Sequence, residues 1–397
     1  MNNIAVMVWV LSAGLIVWVL FGYPVLLMLL VRSRSRPVHK QFQPRTVSVV
    51  LAVSNGAAFL RRKLESLLNL NYPRELMQLL VISDGSTDGT EDIAREFASR
   101  GVELIAVPKS GKAGALNAGI ARATGEILFF TDVRQTLDRD SLRHLVACFA
   151  DPETGVVSGE LIILDGQTLE EASVGLYWKY EKWIRKHQSN LDSLSGATGA
   201  VYAMRRELAV PLPPNTLLDD VHQPLAAFFR GYRLLFEPAA RAYDLSASLD
   251  AEFHRKVRTL AGMYQVMVAY PALLGPKNRM WVHFMSHKFS RLLLPFALIA
   301  AFISSFYLPS PLNWIALSGQ IGLYALALAD TFVPNGSMLK KVSAASRTFV
   351  VLMAATLVAA SILYRSPESF WKTSRINPLK ASPTSPTAVS AETQLPR

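Results

Sequence analysis

The residue types that could do chemistry are most concentrated at residues 81–90, which read VISDGSTDGT. An apolar run predicts a strand that ends at Asp84, and the turn after it carries a second acid, glycines and hydroxyls. A helical pattern follows, with Thr90 as a candidate N-cap and acids in its first turn. A carboxylate held at the end of a strand can accept hydrogen bonds from a ring N–H or a sugar hydroxyl. Alone, the stretch fits an ordinary strand-to-helix turn equally well.

A second acid, Asp132, follows another apolar run at residues 127–131. Between the two acids, the loop KSGKAGALN at 109–117 enters a helix through small residues, so that an anion can approach the backbone with Lys112 at hand. Helix starts rich in Gly and Lys are common, and alone this loop indicates little. Because both acids should project from the same edge of a parallel sheet, together they predict a cleft for a nucleotide diphosphate.

Strand and helix patterns alternate between residues 45 and 245, which bound the predicted globular domain. Strands are expected at 47–53, 79–83, 102–107 and 127–131. Helices are expected between them at 57–68, 93–98 and 112–123. This alternation predicts an α/β fold with a mainly parallel sheet, whose ligand site lies at the carboxyl ends of the strands.

Both ends of the 397-residue chain are strongly apolar. Residues 4–31 carry no charge and are long enough to span a bilayer, which predicts an N-terminal transmembrane helix within residues 1–31. A cleavable signal peptide fits less well, because no basic segment precedes the stretch and no small-residue cleavage site follows it. Basic residues between Arg32 and Lys40 place the following domain in the cytoplasm by the positive-inside rule.

Apolar runs at 292–308, 312–328 and 348–364 predict about three further transmembrane helices within residues 292–364. Residues 246–291 are expected to form interfacial helices. The composition of residues 366–397 predicts a largely disordered tail. We therefore expect a multi-pass protein of the cell (inner) membrane, with the lipid bilayer as a partner.

The net charge of +11 fits a protein that lies on an anionic membrane surface or handles phosphates. Nucleic acid is not an expected partner, because no helix-turn-helix, zinc or RNA-binding signature accompanies the charge. The single cysteine, Cys148, excludes an intrachain disulfide and a cysteine-based metal site.

Taken together, the motifs resemble those of the membrane-embedded family 2 glycosyltransferases, the group that includes cellulose, hyaluronan and poly-N-acetylglucosamine synthases. The resemblance covers roughly residues 47–265, and its order and spacing are more specific than any single motif. The matching segments are VISDGSTDGT at 81–90, GKAGALN at 111–117, FTD at 130–132, TGAVYAMRR at 198–206, LDD at 218–220, GYR at 231–233 and FEP at 236–238.

The resemblance implies a GT-A nucleotide-sugar-binding domain whose expected donor is a UDP-sugar. It implies that Asp84 contacts the nucleobase, Lys112 the nucleotide end, and Asp132 the diphosphate and a Mg²⁺ or Mn²⁺ ion. Asp220, with Asp219 beside it, would be the general base that deprotonates an acceptor hydroxyl, and the anomeric configuration would invert. From the residues alone, Asp219-Asp220 could equally be an acid pair at the start of a helix.

Further residues are expected on the acceptor and diphosphate side of the site. They are Thr198, Gly199, Arg255 and Arg258. Processive relatives carry a Gln-x-x-Arg-Trp motif here; Arg258 matches its arginine, but Thr259 stands where the tryptophan would be. This departure favours the addition of a single sugar, whereas several C-terminal spans favour a synthase that extrudes a polymer. A solvated basic helix is the simpler interpretation of the segment.

The metal motif departs from the family as well, because Arg134 replaces the second acid of the usual Asp-x-Asp. We expect the planar guanidinium of Arg134 to contact the diphosphate and take over part of the metal's role. The simpler alternative is a surface ion pair with Asp138 or Asp140. The acid that commonly follows Asn55 in relatives is also missing.

The predicted function is therefore an inverting glycosyltransferase that moves a hexose or N-acetylhexosamine from a nucleotide sugar to a glycan or a lipid-linked acceptor in polysaccharide synthesis. Polysaccharide export proteins are possible partners. The competing hypothesis is a non-catalytic membrane receptor that keeps the fold and binds glycan or nucleotide. A transporter is not expected, because the apolar runs contain almost no charges.

Overall fold

The computed structural model describes residues 2–164, 169–245, 249–334 and 337–372. At its centre lies an eight-stranded sheet with the strand order β3-β2-β1-β4-β7-β6-β8-β5. The strands are β1 (Val47–Val53), β2 (Met77–Asp84), β3 (Val102–Val107), β4 (Ile127–Phe130), β5 (Thr136–Leu137), β6 (Thr154–Leu164), β7 (Tyr202–Arg205) and β8 (Arg233–Leu245).

One half of the sheet is wholly parallel. The strands β3, β2, β1 and β4 pair in parallel, so the carboxyl ends of β2 and β4 meet at the same edge. The predicted α/β class with a mainly parallel sheet is confirmed. The other half is mixed, since β7 pairs antiparallel with both β4 and β6, and β8 pairs parallel with β6 but antiparallel with β5.

Helices cover both faces of the sheet, because the inner strands are apolar on both sides. In β1, Val49 and Leu51 face one buried layer, whereas Val50 faces the other. The helices of this part are α3 (Ala57–Leu68), α4 (Thr90–Glu96), α5 (Gly111–Arg122), α6 (Ser141–Ala147), α7 (Leu169–Leu191), α8 (Asp219–Phe229) and α9 (Leu249–Ala269). Leu60 and Leu64 of α3 pack in the first layer, and Leu116 of α5 packs in the second.

The remaining helices lie at the two ends of the chain. They are α1 (Asn2–Val17), α2 (Tyr23–Arg34), α10 (Trp281–Phe284), α11 (Ser290–Ser305), α12 (Leu312–Ala329), α13 (Met338–Ala359) and α14 (Glu368–Lys372). Single π-helical turns join α1 to α2 and α10 to α11. Among the described residues, four continuous helical stretches are long and apolar enough to cross a membrane, at Asn3–Arg34, Trp281–Ser305, Leu312–Phe332 and Met338–Leu363.

The helix α7 connects the sheet to the apolar helices. It packs on β8 and also on α2 and α13, which belong to two of the four apolar stretches. The short helix α14 lies in the stretch predicted to be largely disordered and packs on α9, whereas residues 373–397 lie outside the described part of the chain. The mixed half of the sheet is thus held close to the helices that could enter a membrane.

Candidate functional site

Asp84, at the end of β2, fixes the loop that starts α5. Its Oδ1 accepts hydrogen bonds from the backbone N–H groups of Ser110 at 2.6 Å and Gly111 at 3.1 Å, and its Oδ2 lies 2.7 Å from Lys109 Nζ. Burial raises the pKa of the Asp84 carboxyl, but the hydrogen bonds from Lys109 and Ser110 outweigh burial and lower it. Asp84 is therefore ionised at neutral pH and anchors the cationic loop.

The glycine after Asp84 is required by this close approach. Gly85 has a φ of +56°, and a Cβ at this position would lie 3.0 Å from the backbone nitrogen of Lys109. Any other residue would be both conformationally strained and too close to the loop. The acidic turn thus packs directly against the KSGK loop. The position of this loop between the strand ends at Asp84 and Asp132 suggested such a contact.

Lys112, in the first turn of α5, joins two acids that are far apart in the sequence. Its Nζ lies 3.0 Å from Asp132 Oδ1, at the end of β4, and 3.1 Å from Asp219 Oδ1, at the start of α8. Burial opposes its charge, but the fields of Asp132, Asp219 and Asp220 outweigh burial and raise the pKa of Lys112. A permanently charged ammonium group therefore stands at the centre of the predicted cleft.

The carboxyl of Asp220 has a raised pKa. Burial raises its pKa to about 6, repulsion by Asp219 and Asp132 adds to this effect, and Lys112 opposes it. The pKa of Asp132 is lowered instead, because Lys112, Lys63 and Arg258 together outweigh its burial. Neighbouring carboxyls whose environments push their pKa values apart are typical of sites with assigned acid and base roles.

Gly199 lies between the two carboxylates. Its backbone N–H donates to Asp220 Oδ2 at 3.0 Å. A Cβ on Gly199 would lie 3.3 Å from Asp220 Oδ2 and 3.4 Å from Asp132 Oδ2, so only glycine leaves this gap open. The structure therefore brings together five of the predicted site residues, from β4, α5, the loop at 197–201 and α8: Lys112, Asp132, Gly199, Asp219 and Asp220.

Thr198 is held by a residue that sequence reasoning missed. Arg185 of α7 donates through Nη1 to Thr198 Oγ1 at 2.7 Å and through Nη2 to Ser158 Oγ at 2.7 Å, and the Thr198 N–H donates to the same Ser158 oxygen at 3.0 Å. The only signal in the sequence is a basic residue within an aromatic-rich helix. Arg185 therefore links α7 to the loop that carries Gly199.

Arg134 does not pair on the surface with Asp138 or Asp140, as the simpler alternative supposed. It forms an ion pair with the buried Asp244 of β8, which also accepts a hydrogen bond from Gln135 Nε2 at 2.8 Å. The pairing of β5 with β8 brings these residues together, and that strand pair was not predicted.

Arg258 of α9 faces the acids of the site, because the charges of Asp132, Asp220 and Asp219 all act on it while burial lowers its pKa. Its guanidinium lies 4.4 Å from the ring centroid of Trp371 in α14. An aromatic ring thus stands beside Arg258 although Thr259 replaces the tryptophan of the motif. Arg255 lies one turn earlier on the same helix, and its carbonyl accepts from the hydroxyl of Thr259 at 2.9 Å.

Lys63 is a buried cation behind Asp132 that the sequence did not reveal. Its side chain is 1% exposed, and its Nζ donates to Thr131 Oγ1 at 2.6 Å and to the Gln135 carbonyl at 2.8 Å. The Thr131 hydroxyl donates in turn to the Ala200 carbonyl at 2.7 Å. Burial lowers the pKa of Lys63 to about 7, against the opposing field of Asp132.

We expect Lys63 to make the folded state more stable as pH rises above about 7. The unfolded chain keeps Lys63 protonated up to its ordinary pKa of 10.5, whereas the folded chain releases the proton from about pH 7. Because the unfolded state binds more protons in this window, unfolding becomes less favourable as pH rises. The Tm in detergent should rise more between pH 7 and 9 for the wild type than for Lys63→Met. Parallel Tm profiles would contradict this assignment.

A divalent cation fits the site only if the substrate shares in holding it. Among the described residues, no group of three His, Cys, Asp or Glu side chains could hold a metal ion. Asp132 offers one oxygen toward the gap at Gly199, and its other oxygen lies against Lys112. Mg²⁺ is often held by one or two carboxylates together with substrate phosphates, and Asp132 meets this requirement.

Comparison with known proteins assigns the matched part of the chain to a family. Residues 48–210 match the family described as Glycosyl transferase family 2. This region is a family 2 glycosyltransferase domain. The matched region includes Asp84, Lys112, Asp132 and the loop with Gly199, whereas Asp219, Asp220 and Arg258 lie beyond it.

The chain is similar to two curated synthases whose names describe different products. It is 26% identical over 267 residues to the beta-monoglucosyldiacylglycerol synthase of a Nostoc species, covering 62% of this chain and 55% of that one. It is 24% identical over 238 residues to the poly-beta-1,6-N-acetyl-D-glucosamine synthase of Staphylococcus aureus, covering 56% and 55%. The chain thus spans little more than half the length of these curated relatives.

The chain shares its fold with a solved mannosyltransferase. The match is to PcManGT from Pyrobaculum calidifontis, whose structure contains GDP-Man and Mn²⁺. It has a TM-score of 0.68 and 22% sequence identity, and it covers 90% of this chain and 99% of that one. The predicted GT-A fold is confirmed, including the placement of apolar helices at both ends.

Proposed function

We propose that this glycosyltransferase moves a sugar from a nucleotide sugar, with a UDP-sugar as donor, to a hydroxyl of a glycan or lipid-linked acceptor. The observation that carries the proposal is the position of Asp220, a base with a raised pKa, beside Lys112 and Asp132 at the carboxyl edge of the sheet. The relatives that make a polysaccharide and a glycolipid support both acceptor classes. A role in cell-surface or extracellular polysaccharide synthesis follows, with export proteins as partners if the product is a polymer.

In the proposed reaction, Asp220 accepts the proton of the acceptor hydroxyl, since a sugar hydroxyl is a poor nucleophile until a base takes its proton. The acceptor oxygen forms a bond to the anomeric carbon while the bond from that carbon to the diphosphate breaks. The nucleoside diphosphate leaves with the electron pair. One displacement from the opposite side inverts the anomeric configuration.

The charge that develops on the leaving diphosphate needs fixed cations. Lys112 supplies one at the start of α5, and Arg258 lies within the field of the same acids. We propose that Arg134 also contacts the diphosphate, for which its guanidinium would have to exchange Asp244 for phosphate oxygens. Asp84 is proposed to meet the nucleobase at the other end of the cleft, while it continues to hold the loop at 109–111.

We propose that Asp132 holds a Mg²⁺ or Mn²⁺ ion together with the donor phosphates. Such an ion would neutralise charge on the diphosphate. EDTA should lower the rate of UDP release at least about tenfold, and Mg²⁺ or Mn²⁺ should restore it. In Asp132→Asn the metal should restore little. Asp92→Asn, on the exposed face of α4, is the matched control. Full wild-type activity in EDTA would contradict a metal-dependent site.

The proposed location is the cell inner membrane, with the catalytic domain in the cytoplasm. The four apolar stretches support a multi-pass arrangement, and large apolar side chains such as Phe21 and Trp314 are 65% and 69% exposed, as lipid contact would require. Arg32 and Arg34 end the first stretch and support a cytoplasmic domain after it. No observation favours the non-catalytic receptor.

The function is tested with membranes that contain the full chain and a panel of UDP-, GDP- and ADP-sugars. UDP release from one UDP-sugar, lost in Asp220→Asn, is the expected result. Product length on a gel then separates single addition from polymer synthesis. Binding of UDP without its release from any donor, with or without candidate acceptors, would overturn the proposal.

A further inference from the structure

Basic side chains gather where α7 meets the start of α11. The charges that act on Lys288 are those of Arg185, Lys256 and Arg291, with Glu181 as the opposing carboxylate. Glu181 is already engaged, since Arg291 forms an ion pair with it and His287 Nε2 lies 3.3 Å from the same oxygen. Glu181 is therefore shared among several basic side chains of this half-buried cluster.

Arg185 is the member of this cluster closest to the catalytic residues. Both of its terminal nitrogens donate to neutral hydroxyls, those of Thr198 and Ser158. Its Nε is buried without a hydrogen-bond partner, and in the described part of the chain no carboxylate lies within ion-pair distance of it. A guanidinium stays charged even when burial lowers its pKa, and the carboxylates whose fields act on Arg185, those of Glu181, Asp220 and Glu160, form no ion pair with it.

Lys288 is the member closest to the apolar helices. It lies in the π-helical turn Met285–Phe289 that leads into α11, within the apolar stretch Trp281–Ser305. Within the described ranges it makes neither a hydrogen bond nor an ion pair, although its side chain is half-buried. A half-buried ammonium group without a hydrogen bond or a direct ion pair is costly, and an anionic ligand would relieve that cost.

The two residues lie on different sides of the cluster. Lys288 belongs to an apolar helical stretch that could enter the bilayer, and Arg185 touches Thr198, whose neighbour Gly199 donates to Asp220. A ligand that contacts both residues and the base would have an apolar part in the bilayer, an anionic group at the cluster and a hydroxyl at Asp220. A lipid whose phosphate links it to a sugar has these three parts in this order.

We propose that Arg185 and Lys288 bind the phosphate or diphosphate of a lipid-linked sugar acceptor. The inference rests on the proposed function, because it names the acceptor class of the same site. The nucleophile is a sugar hydroxyl rather than the phosphate itself, since a phosphate oxygen that is already ionised would not need Asp220 to remove a proton. Transfer then proceeds as described above, with the proton going to Asp220 and the nucleoside diphosphate leaving.

The binding test uses the full chain in detergent, saturated with UDP so that the donor cleft is filled. The probes are farnesyl diphosphate, farnesol and inorganic pyrophosphate, and Kd is measured by calorimetry. We expect farnesyl diphosphate to bind, and its Kd to increase about tenfold or more in Arg185→Gln and in Lys288→Gln, since bonds from ionised donors to phosphate are strong. The controls are Lys186→Gln and Lys277→Gln, exposed lysines near each site, which should keep the wild-type Kd.

Two results would overturn the proposal. One is farnesyl diphosphate binding that is equal in wild type, Arg185→Gln and Lys288→Gln. The other is pyrophosphate binding as tightly as farnesyl diphosphate, which would indicate a site for free phosphate. Because Lys288 does not contact the loop at 198–199 in this structure, Lys288→Gln remains informative if Arg185→Gln fails to fold. Loss of the proposed function would appear separately, as the absence of UDP release from every donor in the wild type.

Discussion

Replacing Asp220 with asparagine is expected to lower kcat for UDP release by about 10² to 10⁴, the range that a positioned general base contributes. Asparagine keeps the shape of the side chain and can still accept the hydrogen bond from the Gly199 N–H, but it cannot take a proton. The residues proposed to bind the donor, Lys112, Asp132 and Asp84, are unchanged in this variant. The KM for the donor should therefore stay close to the wild-type value, and the loss should appear in kcat.

The same variant should not be less stable than the wild type. The pKa of Asp220 is raised in the folded state to about 6, from an ordinary value of 3.8. Because the folded state then binds more protons, its stability is lost as pH rises through this window, and at pH 7 the ionised carboxylate is a net cost. Asp220→Asn removes that cost, so its Tm at pH 7 should equal or exceed that of the wild type.

The control for Asp220→Asn is Asp92→Asn, which removes an acid on the exposed surface of α4 and should leave both kcat and Tm unchanged. A kcat within about threefold of the wild type in Asp220→Asn would exclude it as the base, since a base contributes at least about 10². A lower Tm would indicate a structural role instead.

The parallel half of the fold could be predicted because its signals are local. Runs such as 47–53 and 102–107 are apolar enough to mark strands by themselves, and the structure places strands at Val47–Val53 and Val102–Val107. Once parallel strands are assumed, Asp84 and Asp132 must lie at one edge, and the loop before α5 must lie between them. The convergence of these residues with Lys112 therefore followed from the pattern of elements.

The residues that the sequence did not reveal depend on contacts between distant segments. Arg134 meets Asp244 only because β5 pairs with β8, and Arg258 meets Trp371 only because α14 folds back on α9. No local periodicity predicts either contact. Lys63 could not be predicted for a different reason, because a lysine in an amphipathic helix is usually exposed. It is buried here because α3 packs over the end of β4, where Lys63 donates to Thr131.

The sequence indicated which charged residues form the site, but not in which direction the pKa of each residue shifts. Repulsion between neighbouring carboxylates such as Asp219 and Asp220 raises the pKa of one of them, but the sequence alone does not say which one. The structure places Lys112 against Asp219 and the backbone of Gly199 against Asp220. Asp220 is therefore the carboxyl with the raised pKa, since it lacks the direct ion pair that Asp219 has.

The strongest test of this arrangement is the pH dependence of kcat/KM, which reports the pKa of the free enzyme's base. The wild type should lose activity as pH falls below about 6, because protonated Asp220 cannot accept the acceptor's proton. Lys112→Gln removes a charge that lowers this pKa, so its acid limb should move to higher pH. Asp219→Asn removes the like charge that raises it, so its limb should move to lower pH.

The two variants should also differ in the height of the profile at its plateau. Lys112→Gln removes the cation that is proposed to face the leaving diphosphate, and loss of such a group costs about 10² to 10³ in rate. Asp219→Asn leaves Lys112 paired with Asp132 at 3.0 Å, and its plateau should be reduced far less. Opposite shifts of the acid limb in these two variants would require a base whose pKa depends on both charges. Asp220 is such a base, because Lys112 and Asp219 both act on it. Shifts in the same direction, or a limb that neither variant moves, would mean that another group limits the rate in acid.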